Sequence, residues 1–139
     1  MPTRYPPVGT EPDLLLERFL LALACYREAR GESLLGKMLV AQVIRNRVDD
    51  VRWPGTYRGV ILQPKQFSAF NPDDPNVTKF PALGEQAWLD SVLAADRILN
   101  GSGEPFTLAN HYCVSSLRPS WYDEDKIVAR EGHHTFFAL

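Results

Sequence analysis

Apolar residues recur at helical spacing in the first part of the chain and predict a core helix. The positions that would share its buried face are Leu15, Phe19, Leu23 and Tyr26. Thr10 is a candidate cap for its start, and Gly31 is a typical stop signal. Glu28 therefore falls at the carboxyl end of this helix, where its side chain could face a cleft.

Two further helices are predicted by the same periodicity. The second is expected to begin after Ser33, a residue type suited to N-caps, and to end near residues 48–50. The third is expected over residues 84–100, before the Gly-rich run that starts at Gly101. The intervening residues 51–81 are rich in proline and predict loops, with a short helix or strand around residues 57–62.

Extended structure is predicted near the end of the chain. Residues 106–114 and 135–139 are apolar and aromatic, and a turn at residues 119–122 separates them. The fold class is therefore α+β, mainly helical, in a single domain whose long loops frame a groove. Residues 1–9 are rich in proline and glycine, which predicts an extended N-terminal lead-in to a domain over residues 10–139.

Composition narrows the class of protein. The chain has 139 residues, 45% of them hydrophobic, which suffices for one core. The net charge of −2 gives no basic surface for nucleic acid. No apolar run approaches the ~20 residues of a membrane span. The first residues lack the pattern of a signal peptide, so we expect a protein that is cytoplasmic as synthesised, with no membrane span.

Cys25 and Cys113 show no CxxC spacing, so neither a thioredoxin motif nor a zinc ribbon is indicated. We expect two free thiols in a reducing compartment. A disulfide between them is the alternative.

Glu28 and Glu32 are the first candidates for chemistry. Paired carboxylates are typical of glycosidases, although two glutamates at a helix end are more often solvated charges. Gly31 lies between them and is expected to separate them. Glu28 would then face the domain. Glu32 would be structural, either paired with an arginine or capping the second helix near its positive end.

The three histidines are weaker candidates. His111, His133 and His134, with Cys113 nearby, could supply zinc ligands, but no HExxH motif is present. Structural or substrate-contacting histidines are the more frequent case, and we expect neither a metal nor a cofactor. A second group could line a groove for carbohydrate, since rings stack on sugars and amides bind their hydroxyls. Its members are Gln66, Phe67, Ser68, Asn71, Asn76, Asn110, Tyr112, Trp121 and Tyr122.

Several short motifs, in shared order and spacing, resemble the cell-wall hydrolase family typified by spore-cortex-lytic enzymes. They run from Glu28-Ala29-Arg30-Gly31-Glu32 and Gly36, through Asn46-Arg47-Val48, Gln66-Phe67-Ser68, Ala109-x-x-Tyr112 and Pro119-x-Trp121, to Gly132-x-His134-x-Phe136. The resemblance implies a small lysozyme-like domain and a lytic transglycosylase that acts on peptidoglycan glycan strands. It implies that Glu28 is the catalytic residue. It places Gln66, Phe67, Ser68, Tyr112, Trp121 and His134 in the substrate groove.

Such an enzyme cleaves the bond between N-acetylmuramic acid and N-acetylglucosamine and leaves a 1,6-anhydro sugar. We expect partial burial to raise the pKa of Glu28, so that the carboxyl donates a proton and later accepts one. The chain shows neither the secretion signal nor the wall-binding module of spore enzymes, which favours a monomeric endolysin of the phage type, acting on the cell wall after release. The alternatives are a hydrolytic muramidase that pairs Glu28 with Glu32 or Asp49, a zinc amidase, and a non-catalytic wall-binding or phage structural domain.

Overall fold

The computed structural model describes residues 11–63, 73, 75, 80–101 and 105–139, and the side chains from Leu15 onward. The lead-in predicted at residues 1–9 and the loop residues Gln66, Phe67, Ser68, Asn71 and Asn76 lie outside this part of the chain. The helices are α1 (Glu11–Ala29), α2 (Leu34–Val48), α3 (Tyr57–Ile61) and α4 (Gln86–Asn100). The three long helices confirm the sequence prediction, and the segment left open between helix and strand is the helix α3.

The single apolar stripe predicted for α1 is wrong over the first half of the helix. Leu15 is 67% exposed and Phe19 is 42% exposed, whereas every residue from 20 to 26 is buried. The reason is that α2, α3 and α4 all pack against α1. Its central turns are enclosed on every side, so the buried residues there form a continuous run instead of a stripe.

A three-stranded antiparallel sheet closes the chain. Its strands are β1 (His111–Val114), β2 (Ile127–Glu131) and β3 (His134–Phe137), in the order β1-β3-β2, with a short 3₁₀ helix (Glu124–Lys126) before β2. Both predicted extended segments therefore contain a strand, although residues 106–110 of the first segment precede β1 and belong to no strand. Strand β2 was not predicted from the sequence, because its side chains alternate between half-buried and exposed and form no apolar run.

The turn between α1 and α2 is held by polar contacts. The Ser33 hydroxyl accepts the Gly36 N–H at 3.1 Å, which confirms Ser33 as the N-cap of α2. Lys37 is 1% exposed, and its Nζ donates to the carbonyls of Arg30 at 3.1 Å and Glu32 at 2.5 Å. A buried ammonium thus satisfies two backbone carbonyls of the turn between α1 and α2.

The second half of α2 anchors the segment that leads into β1. Asn46 Nδ2 donates to the carbonyls of Thr107 at 2.9 Å and Ala109 at 2.7 Å. The neighbouring Arg47 Nε donates to the Asn110 carbonyl at 2.7 Å. These bonds fix where β1 begins, and with it the position of Tyr112.

Two other sequence predictions are tested by the described residues. Both cysteines are free, with Cys25 buried and Cys113 half-buried, which confirms the expectation of unpaired thiols. Within the described part of the chain, no helix is both long enough and apolar enough to cross a membrane.

Candidate active site

Glu28 lies in the last turn of α1, directly after the enclosed stretch of that helix. Its side chain is half-buried, while the following Ala29 is 1% exposed and belongs to the core. A carboxylate in this position is held by a rigid helix and is still open on one side. That is the placement expected of an acid that must reach a substrate.

Tyr112 is the partner that the fold brings to Glu28. A side-chain hydrogen bond joins the two residues, and the pKa of the Tyr112 hydroxyl is raised well above its usual value, first by burial and then by the negative charge of Glu28. The hydroxyl therefore stays protonated and donates a hydrogen bond to the Glu28 carboxylate. Two of the residues predicted for the site thus meet in the structure.

His134 continues this group on β3. It is 7% exposed, and its ring centroid lies 5.3 Å from that of Tyr112 in an edge-to-face arrangement. Burial lowers its pKa against the opposing effect of Glu32, so the ring is neutral near pH 7. His134 packs against the Tyr112 ring, its Nδ1 lies 3.4 Å from Glu32 Oε1, and its role in a substrate groove stays a prediction.

Glu32 does not have the partner expected from the sequence. Within the described residues no arginine is recorded as a partner of its carboxylate, and the cap of α2 is Ser33. Oε1 accepts the backbone N–H of His133 at 2.7 Å, and Oε2 lies 2.9 Å from His133 Nδ1. The side chain is 5% exposed. His133 and His134 were named as candidates from the sequence, but their contact with Glu32 depends on the tertiary fold.

Trp121 lies on the other face of the sheet from Tyr112. Adjacent residues of a strand point to opposite faces, so Phe136 and Phe137 mark the two sides of β3. Tyr112 contacts Phe136 at 5.7 Å between centroids, whereas Trp121 contacts Phe137 at 5.2 Å. The structure therefore does not bring Trp121 to the Glu28–Tyr112 pair, and its role in a groove stays a prediction.

His111 contacts Trp121 on the same face of the sheet as Phe137. Its ring lies 4.9 Å from that of Trp121 and 5.8 Å from that of Trp53. Burial, followed by the positive charges of Arg47 and Arg52, lowers the pKa of His111 to about 4. His111 is therefore a neutral member of an aromatic cluster at neutral pH.

The register of the sheet keeps His111 apart from the other two histidines. His111 pairs with Phe137, while His134 pairs with Val114 at the far end of β1. Among the described residues, no group of three or more His, Cys, Asp or Glu side chains is arranged to hold a metal ion. The histidine set proposed for a zinc amidase is not assembled.

Arg47 lies beside this group, although no role was assigned to it from the sequence. It is 5% exposed, its guanidinium lies 5.1 Å from the Trp53 ring centroid, and its positive charge acts on Tyr112. A buried arginine inside an apolar helix is an available sequence signal, because such a charge needs partners. Which partners it finds depends on the fold.

A cavity of about 230 Å³ lies away from this group, between α2, α4 and the segment that follows α4. Its lining includes Gln42, Asn46, Asp49, Arg97 and Phe106, and none of the described residues that the family resemblance places in the site. The chemistry that the fold assembles is therefore at the Glu28–Tyr112 pair and not in this cavity.

A family model described as Cell Wall Hydrolase matches residues 31–137. The chain belongs to the cell wall hydrolase family. The domain is therefore an enzyme of this class, as the sequence predicted. The match includes Glu32, Tyr112 and His134, and it begins three residues after Glu28.

Curated relatives of this cell wall hydrolase include spore cortex-lytic enzymes. The one from Halalkalibacterium halodurans is 46% identical over 118 residues, which is 84% of this chain and 33% of the relative. The one from Bacillus cereus is 50% identical over 50 residues, 36% of this chain and 19% of the relative. The chain thus spans a third or less of the length of these relatives.

Two solved structures share the fold. The catalytic domain of the Bacillus cereus SleB protein has a TM-score of 0.70 and 30% identity, covering 87% of this chain and 88% of that one. The catalytic domain of the germination-specific lytic transglycosylase SleB from Bacillus anthracis has a TM-score of 0.67 and 28% identity, covering 99% of both chains. The expectation of an α+β, mainly helical, lysozyme-like domain is confirmed, and the structure shows that its extended part is a small antiparallel sheet.

Proposed function

We propose that this domain is a peptidoglycan lytic transglycosylase in which Glu28 is the catalytic acid and base. The observation that carries the proposal is the placement of Glu28, half-buried at the end of the enclosed helix α1 and bonded to the raised-pKa hydroxyl of Tyr112. The shared fold with a catalytic domain described as a germination-specific lytic transglycosylase supports the reaction type. The substrate is then the glycan strand, cut between N-acetylmuramic acid and N-acetylglucosamine.

The reaction needs one carboxyl group. Protonated Glu28 donates to the glycosidic oxygen as the bond to the anomeric carbon breaks, and the N-acetyl oxygen of the muramic residue bonds to that carbon. The Glu28 carboxylate then removes the proton from the C6 hydroxyl, whose oxygen displaces the N-acetyl oxygen. The 1,6-anhydro ring closes, Glu28 regains its proton, and no water is consumed.

The engagement of the other candidate carboxylates supports a single catalytic group. Glu32 is 5% exposed and holds the backbone and ring of His133. Asp49 caps the end of α2, lies 3.8 Å from Arg45 Nε and lines the separate cavity. These contacts support a mechanism that uses the Glu28 carboxyl alone.

The proposal is tested by Glu28→Gln, which keeps the size and hydrogen bonding of the side chain and removes its acid. We expect the release of soluble fragments from purified peptidoglycan to fall by about 10²–10⁴-fold or more, the range of general acid catalysis. Circular dichroism should show an unchanged fold. The matched control is Glu17→Gln on the same helix, which should keep full activity.

Mass spectrometry of the fragments separates the reaction types. Anhydro ends support the lytic transglycosylase, and reducing ends would establish the hydrolytic muramidase in its place. A Glu28→Gln protein with near-normal lysis would refute the assignment of the acid. Binding to sacculi without any fragments from the unaltered protein would favour a wall-binding or structural domain.

Lysis of the phage type is the setting that we propose for this activity, on the strength of the sequence expectations alone. Cells that make the protein in the cytoplasm should stay intact until a pore-forming agent opens the inner membrane, and should then lyse within minutes. Lysis without the agent would contradict this setting and leave the reaction unaffected.

A further inference from the structure

The turn between α1 and α2 is joined to the turn between β2 and β3 through one buried carboxylate. Glu32 and His133 are 101 positions apart, yet Oε1 of Glu32 accepts the His133 N–H at 2.7 Å and Oε2 lies 2.9 Å from His133 Nδ1. The proposed mechanism gives Glu32 no step. A nearly buried charge with a backbone hydrogen bond nevertheless suggests a specific task.

Two glycines make room for this carboxylate. Gly132 has a φ of +57°, and a Cβ on it would stand 2.3 Å from Glu32 Oε1. A Cβ on Gly36 would stand 2.9 Å from the Glu32 Cβ. Both glycines belong to the short motifs of the sequence, and both leave room for the Glu32 side chain. Beside it, the Ser33 hydroxyl donates to Glu131 Oε2 at 3.1 Å and closes the same junction.

Both sides of the junction lead to the catalytic pair. On the helix side, the Glu32 N–H donates to the Ala29 carbonyl at 2.9 Å, so Glu32 is tied to the turn that carries Glu28. On the sheet side, His133 precedes His134, whose ring lies 5.3 Å from that of Tyr112. Tyr112 is bonded to Glu28 and is paired with Phe136 on β3.

We propose that Glu32 is a positioning residue that holds the β2–β3 turn against the end of α1, so that the Tyr112 hydroxyl stays bonded to Glu28. This inference rests on the proposed role of Glu28. Glu32 acts through Tyr112 and touches no reacting atom. What matters is the reach of its oxygen to the His133 N–H, so a neutral acceptor of the same length can take its place.

The test is a series at position 32 that separates length from charge. Glu32→Gln keeps an oxygen at the same reach, Glu32→Asp keeps the charge but is one methylene shorter, and Glu32→Ala keeps neither. Soluble glycan strands serve as the substrate, so that kcat and KM are measured separately. We expect kcat to be near normal for Gln and to fall about tenfold or more for Asp and Ala, with KM little changed. The matched control is Glu124→Gln in the exposed 3₁₀ helix before β2, outside this junction, which should keep full kcat.

A double-mutant cycle identifies the route of the effect. If Glu32 acts through Tyr112, then Glu32→Asp combined with Tyr112→Phe should cost little more in kcat than Tyr112→Phe alone. Independent costs that multiply would overturn the inference. So would a kcat that follows charge, with Asp above Gln, or an unchanged kcat in Asp and Ala together with a lower melting temperature.

The series also distinguishes this inference from the proposed function. An inactive Glu28→Gln protein with fully active Glu32→Asp and Glu32→Ala proteins refutes only the positioning role. An active Glu28→Gln protein refutes the function on which the role depends. If Glu32→Ala does not fold, the comparison of Gln with Asp still decides the question.

Discussion

Single residues carry different amounts of sequence information about this site. Glu28 could be recognised because it ends an apolar helix just before Gly31, which is a local pattern. Tyr112 was predicted only as a ring that could line a carbohydrate groove, since nothing near it in the chain indicates a carboxylate partner. Its bond to Glu28 exists because α2 anchors the start of β1 and β3 pairs with β1. Long-range contacts of this kind are not encoded in local spacing.

Tyr112→Phe should reveal what the hydroxyl does for Glu28. The ring keeps its contacts with Phe136 and His134, while the hydrogen bond to the carboxylate is lost. A donor on a carboxylate favours its ionised form, so its removal favours the protonated acid. We expect kcat on soluble glycan strands to fall about tenfold, and the alkaline limb of the pH–rate profile to move to higher pH.

The control for this substitution is Tyr122→Phe, on the outer face of the sheet, where the ring packs on Phe137. It should leave both kcat and the profile unchanged. An alkaline limb that stays in place in Tyr112→Phe would show that the hydroxyl does not act on the catalytic carboxyl.

Helices were predicted correctly where a local feature, such as a capping or stop residue, determines where they begin or end. Ser33 caps α2 by the bond that its residue type predicts, and α1 and α4 end just before Gly31 and Gly101, the stop signals in the sequence. The stripe of α1 failed because the number of neighbours around a helix is a tertiary property. Strand β2 was missed because its residues alternate at the surface, and its pairing with β3 requires the positive φ of Gly132.

The anchoring of β1 by α2 should be measurable at Asn46. Asn46→Ala leaves the carbonyls of Thr107 and Ala109 without their donor, in a half-buried place. An unsatisfied buried polar group costs about 1–3 kcal/mol. We expect the free energy of unfolding, from urea titration, to fall by about 2 kcal/mol. Asn100→Ala, at the exposed end of α4, is the control and should change it by less than about 0.5 kcal/mol.

Because these bonds also set the position of Tyr112, Asn46→Ala should lower kcat as well, measured at a temperature where the protein is folded. A lower urea midpoint with an unchanged kcat would mean that the bonds are not needed to position Tyr112. A drop in kcat with an unchanged urea midpoint would mean that Asn46 acts in the site itself.

At the scale of the whole molecule, pH changes the stability of the fold through the half-buried His111 and the buried His134. Burial and the nearby arginines lower the pKa of His111 to about 4, and burial lowers that of His134. In the unfolded chain a histidine titrates near 6.5. As the pH falls from 7 towards 4, the unfolded state therefore binds protons before the native state does. The free energy of unfolding must fall over this range.

Glu32 is expected to weaken the fold in the same direction, but at lower pH than the histidines. Burial would raise its pKa, but the hydrogen bonds from His133 and the nearby histidine charges outweigh that effect and lower it. Its contribution to stability is therefore present above about pH 4.5 and is lost below it. The histidines and Glu32 thus weaken the fold in successive ranges of pH.

His111→Gln should flatten the first of these ranges. The ring is partly exposed, so the full shift overstates its effect, and about 1–2 kcal/mol of the loss between pH 7 and pH 4.5 should be attributable to it. Urea titrations followed by circular dichroism at several pH values measure this loss. Tyr122→Phe, which removes no group that titrates in this range, should keep the slope of the unaltered protein. An equally steep loss in His111→Gln would mean that other groups control the acid sensitivity of the domain.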